Sequence, residues 1–183
     1  MKVKNLIILI IFVIAVVWFV LYATTPAPGT QMPDQGRKHI SAEEVAKFSF
    51  NSNPPTSGPH LETWVKAGIY KTPQQDGELL HSLEHGYIEI HYNCNTETEN
   101  KAPEASGSAT NTSDACKKLV SQVESIARKK KLFKLLVVPS PTITTPIVLT
   151  AWTYLEPLSE YDEKKIVQFI DYHRDHGPEQ TME

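Results

Sequence analysis

The chain has 183 residues, with 18 basic and 21 acidic side chains and a net charge of −3. Setting aside Lys2 and Lys4 at the N-terminus leaves 16 basic against 21 acidic, a charge of −5, which argues against nucleic acid or anionic lipid as the main partner. The length beyond the first two dozen residues suits one ordinary domain with one hydrophobic core.

Lys2 and Lys4 precede LIILIIFVIAVVWFVLYA, an uncharged apolar run from Leu6 to Ala23. At about 1.5 Å per residue such a helix nearly spans a hydrocarbon core of about 30 Å. A secretory signal has a shorter apolar region ending in a small-x-small cleavage site, and YATTPAPG offers only a poor one. The expectation is therefore an uncleaved signal anchor, with residues 1–4 a cytoplasmic tail and 5–24 the transmembrane helix. No cysteine follows the run, which excludes a lipoprotein. The lysines before the run keep the N-terminus in the cytoplasm, so the chain reads as a single-pass plasma-membrane protein with its C-terminal part extracytoplasmic.

The stretch TTPAPGTQMPDQG, residues 24–36, has linker composition, and residues 25–40 are expected to be a flexible linker holding the domain off the membrane. The globular domain is expected over 41–183. Ser41-Ala-Glu-Glu44 is a capping-box pattern that predicts a short helix through Lys47. A proline-rich loop, NSNPPTSGPH, runs from Asn51 to His60, and Glu78 to His85 allow one or two helical turns that Gly86 stops. From Tyr87 to Tyr92 apolar and polar residues alternate, which predicts a half-buried strand.

Cys94 and Cys116 bracket a segment without apolar periodicity, expected to be a mobile surface excursion. Both lie on the exported side, where disulfides persist, so they are expected to form a bridge. Leu119, Val120, Val123, Ile126 and Ala127 recur at helical spacing and predict a helix over 114–130, its ARKKK end suited to the negative pole of the helix. KLFKLLVV and IVLTAWTYL read as two further strands. A last helix starts near Ser159 to Asp162 and ends at His176 and Gly177 before Pro178. The fold class is α+β: a small mixed sheet of at least three strands with two main helices, preceded by one N-terminal transmembrane helix.

The stretch HSLEHG, residues 81–86, places two of the chain's seven histidines four residues apart. On a helical turn His81 and His85 share a face. Pro54, Pro55 and Pro59 restrict the backbone before His60, so ordering that loop around a ligand costs less entropy. His60, His81 and His85 are thus a candidate three-nitrogen site with an open position for a zinc or copper ion. Glu84 would orient one imidazole or act as a fourth ligand. A polar cluster without metal is the plain alternative. HSLEH also fits H-x-x-E-H, which would make the protein a metal-dependent hydrolase using Glu84 on a bound water, with Glu160 or Glu163 as a third ligand. That motif needs a continuous helix, and this one is barely two turns long. His39, His91, His173 and His176 read as surface or strand histidines, Trp152 as core, and Glu179 as a solvated carboxylate.

PPTSGPH, LLHSLEHGYIEIHY, a strand ending in Pro139, IVLTAWTYL and FIDYHRDHGPE, in that order over about residues 50 to 180, resemble the family called domain of unknown function 3105. The resemblance implies an N-terminal membrane anchor and puts His60, His81, Glu84 and His85 on the family's signature motifs. Some members carry a methionine in the loop before the TAW strand, and PSPTITTP has none, which leaves histidine ligation alone. The leading expectation is an extracytoplasmic domain that binds or handles a transition metal. The alternatives are a structural or protein-interaction module and the hydrolase. The sequence names no catalytic residue, organic cofactor or protein partner.

Overall fold

The computed structural model describes residues 3–24, 26–95 and 110–181. Among the described residues, eleven elements follow one another: α1 (Val3–Thr24), β1 (Thr30–Gln31), α2 (Ala42–Val45), β2 (Gly68–Ile69), α3 (Asp76–Glu84), β3 (Ile88–Tyr92), α4 (Thr110–Lys129), β4 (Leu135–Pro139), β5 (Ile147–Ala151), β6 (Tyr154–Leu158) and α5 (Glu163–His173). The expected α+β class holds, with a larger sheet than the three strands legible in the sequence. Six strands lie in the order β1-β6-β5-β3-β4-β2. The central strand β3 pairs in parallel with β4 and antiparallel with β5, so the sheet is mixed.

Alternation along β3 and β4 divides the interior. Ile88, Ile90 and Tyr92 of β3, with Leu135 and Val137 of β4, pack against Leu119, Val123 and Ile126 of α4 and Ile166, Phe169 and Ile170 of α5. Leu136 and Val138 face the other way, toward Val65, Leu79 and Tyr87. Both faces of the sheet are covered, and all five residues of β3 are buried. This corrects the expected half-buried strand: polar Glu89 and His91 alternate with the apolar residues because they pair with each other, not because they meet water. The Glu89 carboxylate lies 2.9 Å from His91 Nε2 and accepts from Thr150 Oγ1 at 2.8 Å.

Three boundaries differ from expectation. IVLTAWTYL is a hairpin, β5 and β6, not one strand. Its turn falls at Trp152 and Thr153, where Thr153 adopts φ 61°, donates its N–H to Thr56 O at 2.8 Å and accepts from Met32 N at 2.8 Å. KLFKLLVV becomes strand only at Leu135, because Lys131, Leu132 and Lys134 form a turn with positive φ. Residues 26–40 are not a free linker: β1 pairs antiparallel with β6, Pro28 O accepts from His173 Nε2 at 2.8 Å, and Gln35 N donates to Ser57 Oγ at 3.0 Å. Proline and glycine content fits loop and edge strand alike, and composition cannot separate a free linker from one docked by its backbone.

Two local expectations hold in detail. Ser41 caps α2 with both halves of the capping box present. Cys94 and Cys116 form a disulfide with Cα atoms 5.2 Å apart, tying the end of β3 to α4. Most of the segment between them, 96–109, lies outside the described residues, as does the expectation of a mobile excursion there.

Helix α1 covers 22 residues, and apolar side chains from Ile7 to Phe19 are exposed around it. Among the described residues, no helix is long and apolar enough to cross a membrane. The expected transmembrane helix over 5–24 is therefore present as a helix but is not established as a membrane span.

Candidate metal centre

His60 is carried by the loop expected to be stiff. Pro54 to Ser57 are buried, and Gly58 takes φ 131° with no room for a side chain, since a Cβ there would sit 3.0 Å from the Phe50 ring. The backbone of His60 runs parallel to that of His39: His60 N–H donates to Lys38 O at 3.0 Å and Ile40 N–H donates to His60 O at 2.8 Å. This two-rung ladder brings His39 beside His60.

Helix α3 supplies the other side. Its cap, His85, ends the helix and Gly86 follows at φ 81°. One turn earlier, His81 Nδ1–H donates to Leu61 O at 2.7 Å. His60 Nδ1–H donates to Gly58 O at 2.8 Å. A carbonyl only accepts, so both Nδ1 atoms carry protons, and His60 Nε2 is turned to the Glu84 carboxylate.

The ligand atoms of His39, His60 and His81 all lie within 4.8 Å of one another. Ligands about 2.0 to 2.1 Å from a tetrahedral zinc ion stand about 3.3 Å apart, so modest rotations of these rings would close the site. Glu84 Oε2 sits 2.9 Å from His60 Nε2 and 3.8 Å from His39 Nε2. Arg37 lies 3.8 Å from the other carboxylate oxygen. Anchoring Nδ1–H on a backbone carbonyl is the arrangement that fixes tautomer and ring orientation in metal-binding histidines. His60, His81 and Glu84 are buried, while the side chain of His39 is 39% exposed, so the cluster opens at one edge.

Of the expected trio of His60, His81 and His85, the structure brings the first two together with His39. His85 does neighbour the cluster, with its ring 4.6 Å from that of His81 and 5.5 Å from that of Trp64. It is not among the three histidines whose ligand atoms converge. Its position four residues after His81 gives a shared face but not a shared point, because the helix ends at His85. His39, read as a surface histidine, takes its place. No spacing signal marks it, since its proximity comes from the ladder with the loop at 58–61. The remaining histidines have other partners: His91 pairs with Glu89, His173 with Pro28 O, and His176 Nδ1–H with Tyr172 O.

The hydrolase geometry is poorly served. Glu84 is turned onto His60, not left free beside an open position, and a cavity of about 670 Å³ lies elsewhere, between the β5–β6 turn and α5. Trp152 lines that cavity and is half-buried, not core. Its ring meets that of His60 edge-on at 6.2 Å. Glu179 reaches the cluster through its backbone: its N–H donates to Glu84 O at 3.0 Å, and its carboxylate is exposed.

Burial holds the His81 imidazole below its ordinary value of 6.5, opposed by the bond to Leu61 O and assisted by the neighbouring histidines. Burial likewise lowers His173, whose partner is Pro28 O. Both groups stay neutral where the unfolded chain would take up protons, so their folded values lie below the unfolded ones. Metal-free protein should hold its full stability above about pH 6.5 and lose it as the pH falls through that value toward the lower folded ones. Urea midpoints measured from about pH 7 to about pH 5 check this. A flat profile would contradict it.

The family described as "Protein of unknown function (DUF3105)" matches residues 39–104 and 108–183. The first matched residue is His39. No curated protein and no solved structure matches the chain.

Proposed function

The chain belongs to the family Protein of unknown function (DUF3105), and from the geometry of its histidine cluster we propose that it binds one transition-metal ion, Zn²⁺ or Cu²⁺. His39, His60 and His81 are the nitrogen ligands and Glu84 the oxygen ligand. The observation that carries this reading is the convergence of the ligand atoms of His39, His60 and His81 within 4.8 Å of one another, with His60 and His81 anchored through Nδ1 on backbone carbonyls and the buried Glu84 carboxylate 2.9 Å from His60 Nε2. Three imidazoles and a carboxylate suit zinc, and imidazole also suits copper. Titration of chelator-treated protein with Zn²⁺ or Cu²⁺, followed by calorimetry, should give one site per chain. Absence of a saturable site for either ion would sink the reading.

The same proposal places α1 in the plasma membrane and the domain on the extracytoplasmic side. It is supported by the uncharged run from Leu6 to Ala23, the 22-residue helix that contains it and the apolar side chains exposed along it, which water would not tolerate on an isolated helix. Because residues 26–40 pack on the domain, the domain would sit close to the bilayer. Protease added outside intact cells should digest the domain and spare an N-terminal tag. Release of a soluble product lacking the run would show a cleaved signal instead.

A further inference from the structure

The three histidines of the cluster are held in unequal ways. His60 is fully buried and His81 is 5% exposed, and each has its ring fixed by a backbone carbonyl. His39 is 39% exposed at its side chain. Its ring is positioned by stacking on His81, centroids 4.8 Å apart, and by an edge contact with His60 at 4.9 Å, and its nitrogen approaches Glu84 only at 3.8 Å. Stacking permits a ring to swing about its side-chain bonds in a way that a hydrogen bond to a fixed carbonyl does not.

The rim beside His39 has a definite character. Arg37, 56% exposed at its side chain, lies 3.8 Å from Glu84, and Trp64, 41% exposed, covers the other side with its ring 5.6 Å from that of His81. Cations next to a metal site repel an incoming free cation and attract an anionic donor group. Four protein ligands leave no open position on a tetrahedral ion, so the ion can leave only when one ligand lets go, and His39 at the open edge is the least firmly held.

We propose that His39 is an exchange ligand, and that the ion leaves this site by direct transfer to an acceptor bearing anionic donors, carboxylate or thiolate, that docks over Arg37 and His39. His60, His81 and Glu84 form the fixed floor. In the transfer, the bond between the ion and His39 Nε2 breaks as a donor of the acceptor forms its own bond. The ion is then shared between floor and acceptor before the floor ligands release it, and its charge does not change. Rate and direction are set by the acceptor's affinity, so the protein hands on metal without a reductant or an energy source. This inference rests on the metal-binding reading and goes beyond it, to how the bound ion moves.

The test uses the full chain in detergent, loaded with one Zn²⁺, and nitrilotriacetate as the anionic acceptor, with zinc loss followed in time. The rate should rise in proportion to nitrilotriacetate concentration, because attack at the rim precedes release. His39→Asn should still bind Zn²⁺ through His60, His81 and Glu84, measurably but more weakly than the wild type, and lose it faster at every acceptor concentration. Arg37→Ala should lower the second-order rate constant about threefold at low salt, and added salt should erase that difference. A rate independent of acceptor concentration overturns the proposal, because the ion would then leave unaided. Loss of all zinc binding in a folded His39→Asn variant also overturns it, since His39 would then be part of the floor. Failure of the wild-type chain to bind zinc at all would overturn the metal-binding reading itself, and is distinguishable because no loaded species forms.

Discussion

Replacing His60 with alanine should weaken Zn²⁺ binding by roughly a thousandfold or more, whereas replacing His85 should weaken it only about tenfold, the scale of a residue that supports a ligand without being one. The contrast follows from where the two rings lie. His60 Nε2 is 2.9 Å from Glu84 Oε2 and belongs to the group whose ligand atoms converge within 4.8 Å. His85 touches that group only through ring contact with His81. Its Nδ1 is buried and makes no hydrogen bond among the described residues, so its removal loosens His81 without opening the coordination sphere. Competition titration against a chelator of known affinity measures both variants. His60 is completely buried and its alanine variant leaves a cavity, so His60→Gln is the companion that keeps volume while removing the imidazole. Equal losses in His60→Gln and His85→Ala, with the fold intact by circular dichroism, would restore the trio of His60, His81 and His85.

The difference between those two trios shows which kind of information the sequence carried. His81 and Glu84 were legible because a helix fixes the spatial relation of residues three or four positions apart. His60 was legible because three prolines announce a stiff loop. His39 was not, since it joins the cluster through a parallel ladder between residues 38–40 and 58–61, a non-local pairing without periodicity or turn residue to betray it. The same limit explains the sheet. Ile88–Tyr92 and Leu135–Pro139 are apolar enough to be read as strands, but β1 and β2 are two residues each, too short for any pattern. Thr153 hides a hairpin turn because its positive φ is imposed by hydrogen bonds to Thr56 and Met32, not by a glycine. Local patterns named the central strands and the helices. What escaped was fixed by backbone contacts between distant segments.

One such contact makes the second large prediction. Gly177, in the HGPE stretch that follows α5, lies against the end of α3 so closely that an added Cβ would sit 2.2 Å from Glu84 O, 2.3 Å from Gly86 N and 2.7 Å from Gly86 Cα. All three are backbone atoms, so no side chain can rotate away to make room. Around this contact, Asp175 N–H donates to Gly86 O at 2.8 Å and Glu179 N–H donates to Glu84 O at 3.0 Å. Buried Lys134 binds both sides, through His85 O at 2.9 Å and Asp175 at 2.6 Å. Gly177→Ala must therefore separate the C-terminal segment from α3 and break several of these bonds together. Overpacking usually costs about 1 to 3 kcal/mol, and a clash with rigid backbone belongs at or above the top of that range. The expected result is a fall in melting temperature of about 10 °C, together with weaker metal binding, because the displaced segment is the one that holds the carbonyl of Glu84. Gly36→Ala is the control: Gly36 also has positive φ, 85°, but nothing lies within 4 Å of its added Cβ, so only backbone strain of about 1 kcal/mol is incurred and metal affinity should stay unchanged. If Gly177→Ala melts with the wild type, the close packing of HGPE on α3 is not what positions Glu84, and the carboxylate must be held by its contacts to His60 and Arg37 alone.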